Sequence, residues 1–341
     1  MSSKFCSVVS SGTAALHLTA AALNFNKNDI VITSPITFLA SSNSSLYLGA
    51  KIDFVDINNI SYTLDPDLLE RKIKKLLSNK KRIKAVVAVD YGGHPCHWKE
   101  LRYLANKYNF ILINDNCHAL GAKYYNDFGY ACKYADVVTQ SFHPTKNITT
   151  GEGGAILTNS EKIYKKVNLL RNHGMQKSKN KNKGLWHYSM IELGFNYRIT
   201  DFQCALGLSQ LKRLNQFIKK RNNIAKVYDQ SFMNNDKILI PIRNKNIFHA
   251  YHLYPLQIKF KKNKINKINF FNNLKKQGII LQVHYIPIHI QPYYKKLYNL
   301  KDNDFPNSMN FYNQQISLPI YPSLTKEMQN FVIRNILKNI N

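Results

Sequence analysis

Short β-branched runs alternate with helical patterns over the first two-thirds of the chain. The strand-like runs are DIVITSP (29–35), AKIDFVDI (50–57), IKAVVAVDY (83–91), FILIND (110–115), ADVVTQSF (135–142) and GGAILTN (153–159). Between them, GTAALHLTAAAL (12–23), LDPDLLERKIKKLLS (64–78) and CHWKELRYLANKY (96–108) carry helical spacing. Strands separated by helices of this length predict βαβ units and a mainly parallel sheet. Asp65 ahead of Pro66 predicts a helix N-cap with proline in the first turn.

From Asp201 the pattern changes. One long helix is predicted over 201–232, with Leu206, Leu208, Leu211 and Leu214 before it turns basic. Strands near YHLYPLQIKF (251–260) and ILQVHYIP (280–287), and a helix after Thr325, predict a smaller α/β unit. The expected division is a large domain over 1–215 and a small one over 216–341.

Composition narrows the class. No apolar run approaches the roughly 18 residues of a membrane span. Ser10, Ser11, Gly12, Thr13 and His17 interrupt the mildly apolar start, so it does not read as a signal peptide. Five scattered cysteines without a CxxC pair are the usage of a reducing cytoplasm. The net charge of +28 would suit nucleic acid, but it is spread along the chain. Its densest runs (71–84, 177–183 and 259–267) read as solvated helix faces and loop tips, so neither nucleic acid nor membrane is the expected partner. His94, Cys96 and His97 sit close together in GGHPCHWKE, yet no second cluster completes a metal site, and a loop leading into a helix is the expected reading.

The chemistry concentrates between Phe110 and Gly154. An apolar strand ends on Asp115, where a parallel sheet delivers side chains to a ligand crevice. Lys146 follows in the tight, glycine-rich SFHPTKNITTGEGGA (141–155). Pyridoxal phosphate needs such a pair: a lysine to form the Schiff base and a carboxylate to keep the pyridine nitrogen protonated. In a lysine-rich chain a surface lysine beside a loop would leave the same letters. SSGTAALHL (10–18) opens a helix at Gly12 and Thr13, whose free amides suit a phosphate or merely start the helix. Phe38 could stack on a flat cofactor or fill core.

Together these segments resemble the DegT/DnrJ/EryC1/StrS family of sugar aminotransferases from about Cys6 to the C-terminus. The likeness is closest to the branch that aminates a UDP-linked sugar for pseudaminic acid. SFHPTKNITTGEGGA, IELGFNYRITDFQCALGLSQLKRL, LQVHYIPIHIQPYY and ISLPIYPSLT carry that closer match. The resemblance implies the pyridoxal phosphate-dependent fold type I of aspartate aminotransferase: a large, mainly parallel sheet domain and a smaller C-terminal α/β domain. It assigns Lys146 as the Schiff-base lysine and proton carrier, and Asp115 as partner of the pyridine nitrogen. His118 falls beside the phenolic oxygen, Phe38 on the ring face, and Thr13, the Ala14 backbone and Ser141 at the phosphate. Asn196 matches a residue given to the phosphate by a neighbouring subunit, which implies a homodimer with shared sites. His284, Tyr285 and His289 fall on the substrate side.

The implied reaction moves the amino group of L-glutamate to the C4 ketone of a UDP-linked 4-keto-6-deoxy-N-acetyl sugar. A GDP-linked, perosamine-type substrate and a catalytically lapsed binding partner are the alternatives. Dehydratase relatives carry histidine in place of the lysine, so Lys146 favours amination. Relatives also have a lead-in before the segment matching CSVVSSGTAALHL. Either the true start lies upstream of MSSKF, or a chain starting there is expected to hold the cofactor yet be unstable or poorly active.

Overall fold

The computed structural model describes residues 1–177, 184 and 186–340. Most of the basic run 177–183 lies outside them. Seven strands form the main sheet: β1 (Phe5–Val9), β2 (Ile30–Thr33), β3 (Lys51–Phe54), β4 (Ala85–Val89), β5 (Ile111–Asp115), β6 (Val137–Ser141) and β7 (Gly154–Thr158). Their order is β1-β7-β6-β5-β4-β2-β3, with the five strands β2 to β6 parallel and β7 and β1 antiparallel at one edge. All five residues of β4 are buried, as expected of a central strand with both faces covered. β1 escapes sequence reading because a five-residue edge strand beside a helix start has no periodicity of its own.

Helices α1 (Gly12–Ala22), α2 (Ala40–Leu46), α3 (Pro66–Ser78), α4 (Trp98–Tyr108) and α5 (Glu161–Leu170) cover this sheet. Asp65 caps α3 by accepting from the amides of Asp67 and Leu68, leaving Pro66 at a position that needs no donor. Helix α6 (Asp201–Phe232) starts on a capping box between Thr200 and Gln203. Its Ile218 packs in the core of the main sheet, while Ile224, Ala225, Tyr228 and Phe232 pack in a second core.

That second core lies on a three-stranded antiparallel sheet, β8 (Ile238–Leu239), β9 (Tyr254–Ile258) and β10 (Gln315–Leu318), with α7 (Lys267–Lys276) and the final helix α10 (Lys326–Ile340). The stretch 280–287 is not a strand; among the described residues it has one bridge to the sheet, Gln282 to Ser317, and His284 bonds the side chains of Gln315 and Ser317. It instead leaves the small sheet and returns to the large one. The Ile288 amide donates to the Pro35 carbonyl at 2.9 Å, and Ile288, Tyr294 and Phe305 join the core formed by Leu16, Val31 and Phe54. This strap carries α8 (Pro292–Tyr298) and ends at α9 (Pro306–Gln314), whose first-turn amides bond to buried Asp56. A chain segment beyond residue 215 thus packs on the large sheet, a crossing no local pattern announces.

Among the described residues no helix is long and apolar enough to cross a membrane.

Candidate active site

β5 delivers Asp115 to the end of the sheet, 5% exposed. Ser41 of α2 donates to its Oδ2 at 2.6 Å, and the Cys117 amide lies 3.3 Å from its Oδ1. Thr37 stands behind Ser41, hydroxyl to hydroxyl at 2.7 Å. Lys146 lies on the turn after β6, where its amide donates to the His143 carbonyl. Burial pulls the Lys146 ammonium below its ordinary pKa, and the negative charge available at Cys117 and Asp115 only partly opposes this. The structure therefore brings an amine whose charged form is disfavoured within the field of a buried carboxylate.

His118, three residues after Asp115, accepts from the Gly92 amide at Nδ1 (3.2 Å). Neutral His118 must then carry its proton on Nε2, which lies 3.0 Å from the Tyr285 hydroxyl. Burial first, then the charges of Lys146 and His284, holds its pKa well below the usual histidine value. Tyr285 also faces Phe38, with ring centroids 6.0 Å apart, and Phe38 is 55% exposed on the open side. His284 bonds Ser317 through Nδ1 at 2.8 Å, and burial lowers its pKa to about 4.

The N-terminus of α1 meets the end of β6. A Cβ on Gly12 would stand 2.6 Å from Ser141 Cβ, and one on Gly154 would stand 2.4 Å from the Ser11 carbonyl oxygen, so both glycines are required by this approach. Ser11 caps the helix by accepting from the Ala14 amide at 3.0 Å. The first-turn amides of Gly12 and Thr13 have no acceptor within the helix, and beside the Ser141 hydroxyl they suit an anion.

A cavity of about 800 Å³ opens from this cluster between α6 and the small sheet. Lys146, Lys220, Arg221, His252, His284 and Tyr285 line it. A larger open groove, about 1040 Å³, runs along α5 and includes none of these side chains.

Two of the expected site residues stand apart. His289 is fully buried in the strap, with its ring 4.7 Å from Phe305 and Nε2 3.2 Å from the Asp302 carbonyl; a side chain so enclosed does not reach a substrate. Asn196 is exposed on a segment bridged to Asn172 and makes no hydrogen bond to the cluster among the described residues. His94, Cys96 and His97 do not converge: His94 faces the Pro95 carbonyl, the Cys96 thiol donates to the Val89 carbonyl, and His97 lies 3.5 Å from Ser61 Oγ. Ser41, Gly92 and His252 were missed, because a serine, a glycine and a histidine far apart in sequence carry no shared motif.

The model of the DegT/DnrJ/EryC1/StrS aminotransferase family matches residues 1–337. The chain belongs to this family. It is 40% identical over 333 residues to a UDP-4-amino-4,6-dideoxy-N-acetyl-β-L-altrosamine transaminase of Campylobacter jejuni, covering 96% of this chain and 84% of that protein. Helicobacter pylori PseC, an aminotransferase involved in the biosynthesis of pseudoaminic acid, superposes with a TM-score of 0.89 at 32% identity, covering 100% of this chain and 88% of that one. NtdA of Bacillus subtilis, with bound cofactor PMP, superposes with a TM-score of 0.84 at 29% identity, covering 99% and 74%. The DegT/DnrJ/EryC1/StrS chain is an aminotransferase of fold type I, and its cofactor is pyridoxal phosphate.

The residues present fit that group. Asp115 is a buried carboxylate with only hydroxyl and amide donors, which leaves it free to hold a protonated ring nitrogen. Lys146 offers an amine that burial keeps reactive, and the Gly12–Ser141 approach offers donors to a phosphate.

Proposed function

We propose that this aminotransferase transfers the amino group of L-glutamate to the C4 ketone of a UDP-linked 4-keto-6-deoxy-N-acetyl hexose, a step toward pseudaminic acid. The observation that carries the reading is the half-buried Lys146 amine, its ammonium form disfavoured, in the field of Asp115 and beside the donor-bearing His118. The altrosamine transaminase name of the Campylobacter relative supports the sugar.

When bound, pyridoxal phosphate supplies an electrophilic carbonyl and an electron-withdrawing ring that stabilises negative charge at the carbon being aminated. Lys146 Nζ holds the cofactor and, once released, takes and returns the proton at the reacting carbon; a depressed pKa suits both tasks. Asp115, oriented by Ser41, holds a proton at the ring nitrogen. His118, whose Nε2 proton is set by the Gly92 amide at Nδ1, would offer that donor to the cofactor's phenolic oxygen side. Thr13, the Ala14 backbone and Ser141 bind the phosphate, and Phe38 covers the ring. His284 and Tyr285, on the cavity wall, meet the substrate.

Each site is completed by Asn196 of a second copy in a homodimer. The exposed apolar side chains Trp186, Met190, Leu193, Phe202 and Leu208, on the segment around Asn196 and the first half of α6, support such an interface. We place the enzyme in the cytoplasm, and the domain division within α6.

Incubation with L-glutamate and a panel of UDP- and GDP-linked 4-keto sugars tests the reading. Amination of the UDP-linked N-acetyl sugar is expected. Preference for a GDP sugar redirects the substrate, and no amination of any member overturns the reading.

A further inference from the structure

Asp90 follows β4, is fully buried, and pairs with no cation among the described residues. Five donors surround its carboxylate. Oδ1 accepts from the Cys96 amide (2.7 Å) and Trp98 Nε1 (3.0 Å). Oδ2 accepts from Asn114 (3.1 Å), Asn116 (2.7 Å) and the Tyr130 hydroxyl (2.8 Å). A buried carboxylate held by this many donors is a fixed point, because releasing any of them leaves polar groups unpaired.

The two oxygens serve different neighbourhoods. Oδ1 holds the start of α4, away from the site. Oδ2 holds Asn114 and Asn116, the residues on either side of Asp115, and the Asp90 amide donates to the Asp115 carbonyl at 3.2 Å. Asn116 in turn accepts from Gln140 at 2.5 Å, next to Ser141. The turn that follows Asp90 presents the Gly92 amide to His118 Nδ1. One carboxylate therefore joins the ends of three strands that carry the cofactor-facing residues.

We propose that Asp90 is the positioning residue of the site: its Oδ2 fixes where Asp115 meets the cofactor's ring nitrogen, and the turn it anchors fixes the tautomer of His118. The proposal rests on the cofactor reading above. It needs no contact between Asp90 and the cofactor. Asp90 acts through the backbone of Asp115 and through Gly92, as outer-layer groups orient those that touch a ligand.

The test compares Asp90→Asn, Asn116→Leu and Trp98→Phe with the wild-type holoenzyme. Asn116→Leu removes one bond to Oδ2 and Trp98→Phe one bond to Oδ1, so the two share a stability cost but not a position. The readouts are melting temperature, pyridoxal phosphate Kd, and the pH midpoint of the cofactor's absorbance change. A loosened Asp115 holds the ring nitrogen's proton less firmly and leaves less positive charge near the nitrogen joined to Lys146. That midpoint should rise by about one unit in Asn116→Leu and Asp90→Asn. Their Kd should weaken about tenfold. Trp98→Phe should lose melting temperature with a wild-type midpoint. Asn116→Leu keeps the test open should Asp90→Asn fail to fold. A wild-type midpoint in Asn116→Leu, or an equal shift in Trp98→Phe, overturns the proposal while leaving the cofactor reading intact. A wild type without a cofactor band overturns both.

Discussion

The Ser41 hydroxyl donates to Asp115 Oδ2 at 2.6 Å, so a serine on a short helix orients the carboxylate we propose for the cofactor's ring nitrogen. A hydrogen bond to a charged group is worth about 1.5–3 kcal/mol. Ser41→Ala removes it and leaves Asp115 Oδ2 without a side-chain donor among the described residues. Pyridoxal phosphate should bind about tenfold more weakly, read by equilibrium dialysis. An unchanged Kd would show that Ser41 merely fills space.

Asp56 ties the far end of the strap to the large sheet. Its carboxylate accepts from the amides of Asn307 and Ser308 and from the Ser308 hydroxyl, at the N-terminus of α9. Asp56→Ala leaves these three donors and the Ile57 amide without their acceptor and should cost on the order of 3 kcal/mol. Urea denaturation measures this directly. Because the same strap carries Tyr285 to His118, the KM for the sugar should rise as well.

Buried histidines set the acid limit of the fold. Burial lowers the pKa of His94 and His284 to about 4, and those of His118, His249 and His252 fall well below the usual value. Unfolded histidines bind protons below about pH 6.5, and the folded ones resist doing so. The unfolded state thus binds more protons in that window, and stability falls as pH drops from about 6.5 toward about 4. Thermal melts across this range should show a progressive loss. A flat melting temperature would contradict the neutral assignment of the His118 and His252 pair, whose rings lie 4.3 Å apart.

The βαβ strands, the Asp65 cap and the nearness of Asp115 to Lys146 were legible because each is local: an apolar run, a cap before proline, a strand end, a tight loop. The strap was not, since nothing near 287–305 announces that Tyr294 will share a core with Phe54. His289 was misread for the same reason. It sits beside His284 and Tyr285 in sequence, but the chain turns it into the strap's interior. Asp90 and Ser41 reach the site through tertiary contacts alone, which one sequence without relatives does not display.

Lys146 costs the empty fold stability. Its amine is pulled down by burial, while the unfolded chain keeps the proton up to about pH 10.4. At neutral pH the unfolded state is therefore favoured in proton binding, and the cost recedes only as pH rises toward the unfolded value. Lys146→Met should melt a few degrees higher than the wild type without cofactor. An equal or lower melting temperature would mean that the amine is well solvated.

We propose that, of all the lysines in this lysine-rich chain, Lys146 alone carries the cofactor. Borohydride reduction of the holoenzyme followed by peptide mass mapping tests it most directly. The pyridoxyl group should be found on Lys146 within SFHPTKNITTGEGGA, and Lys146→Ala should carry none. Label on another lysine, or retained after Lys146→Ala, would contradict the claim.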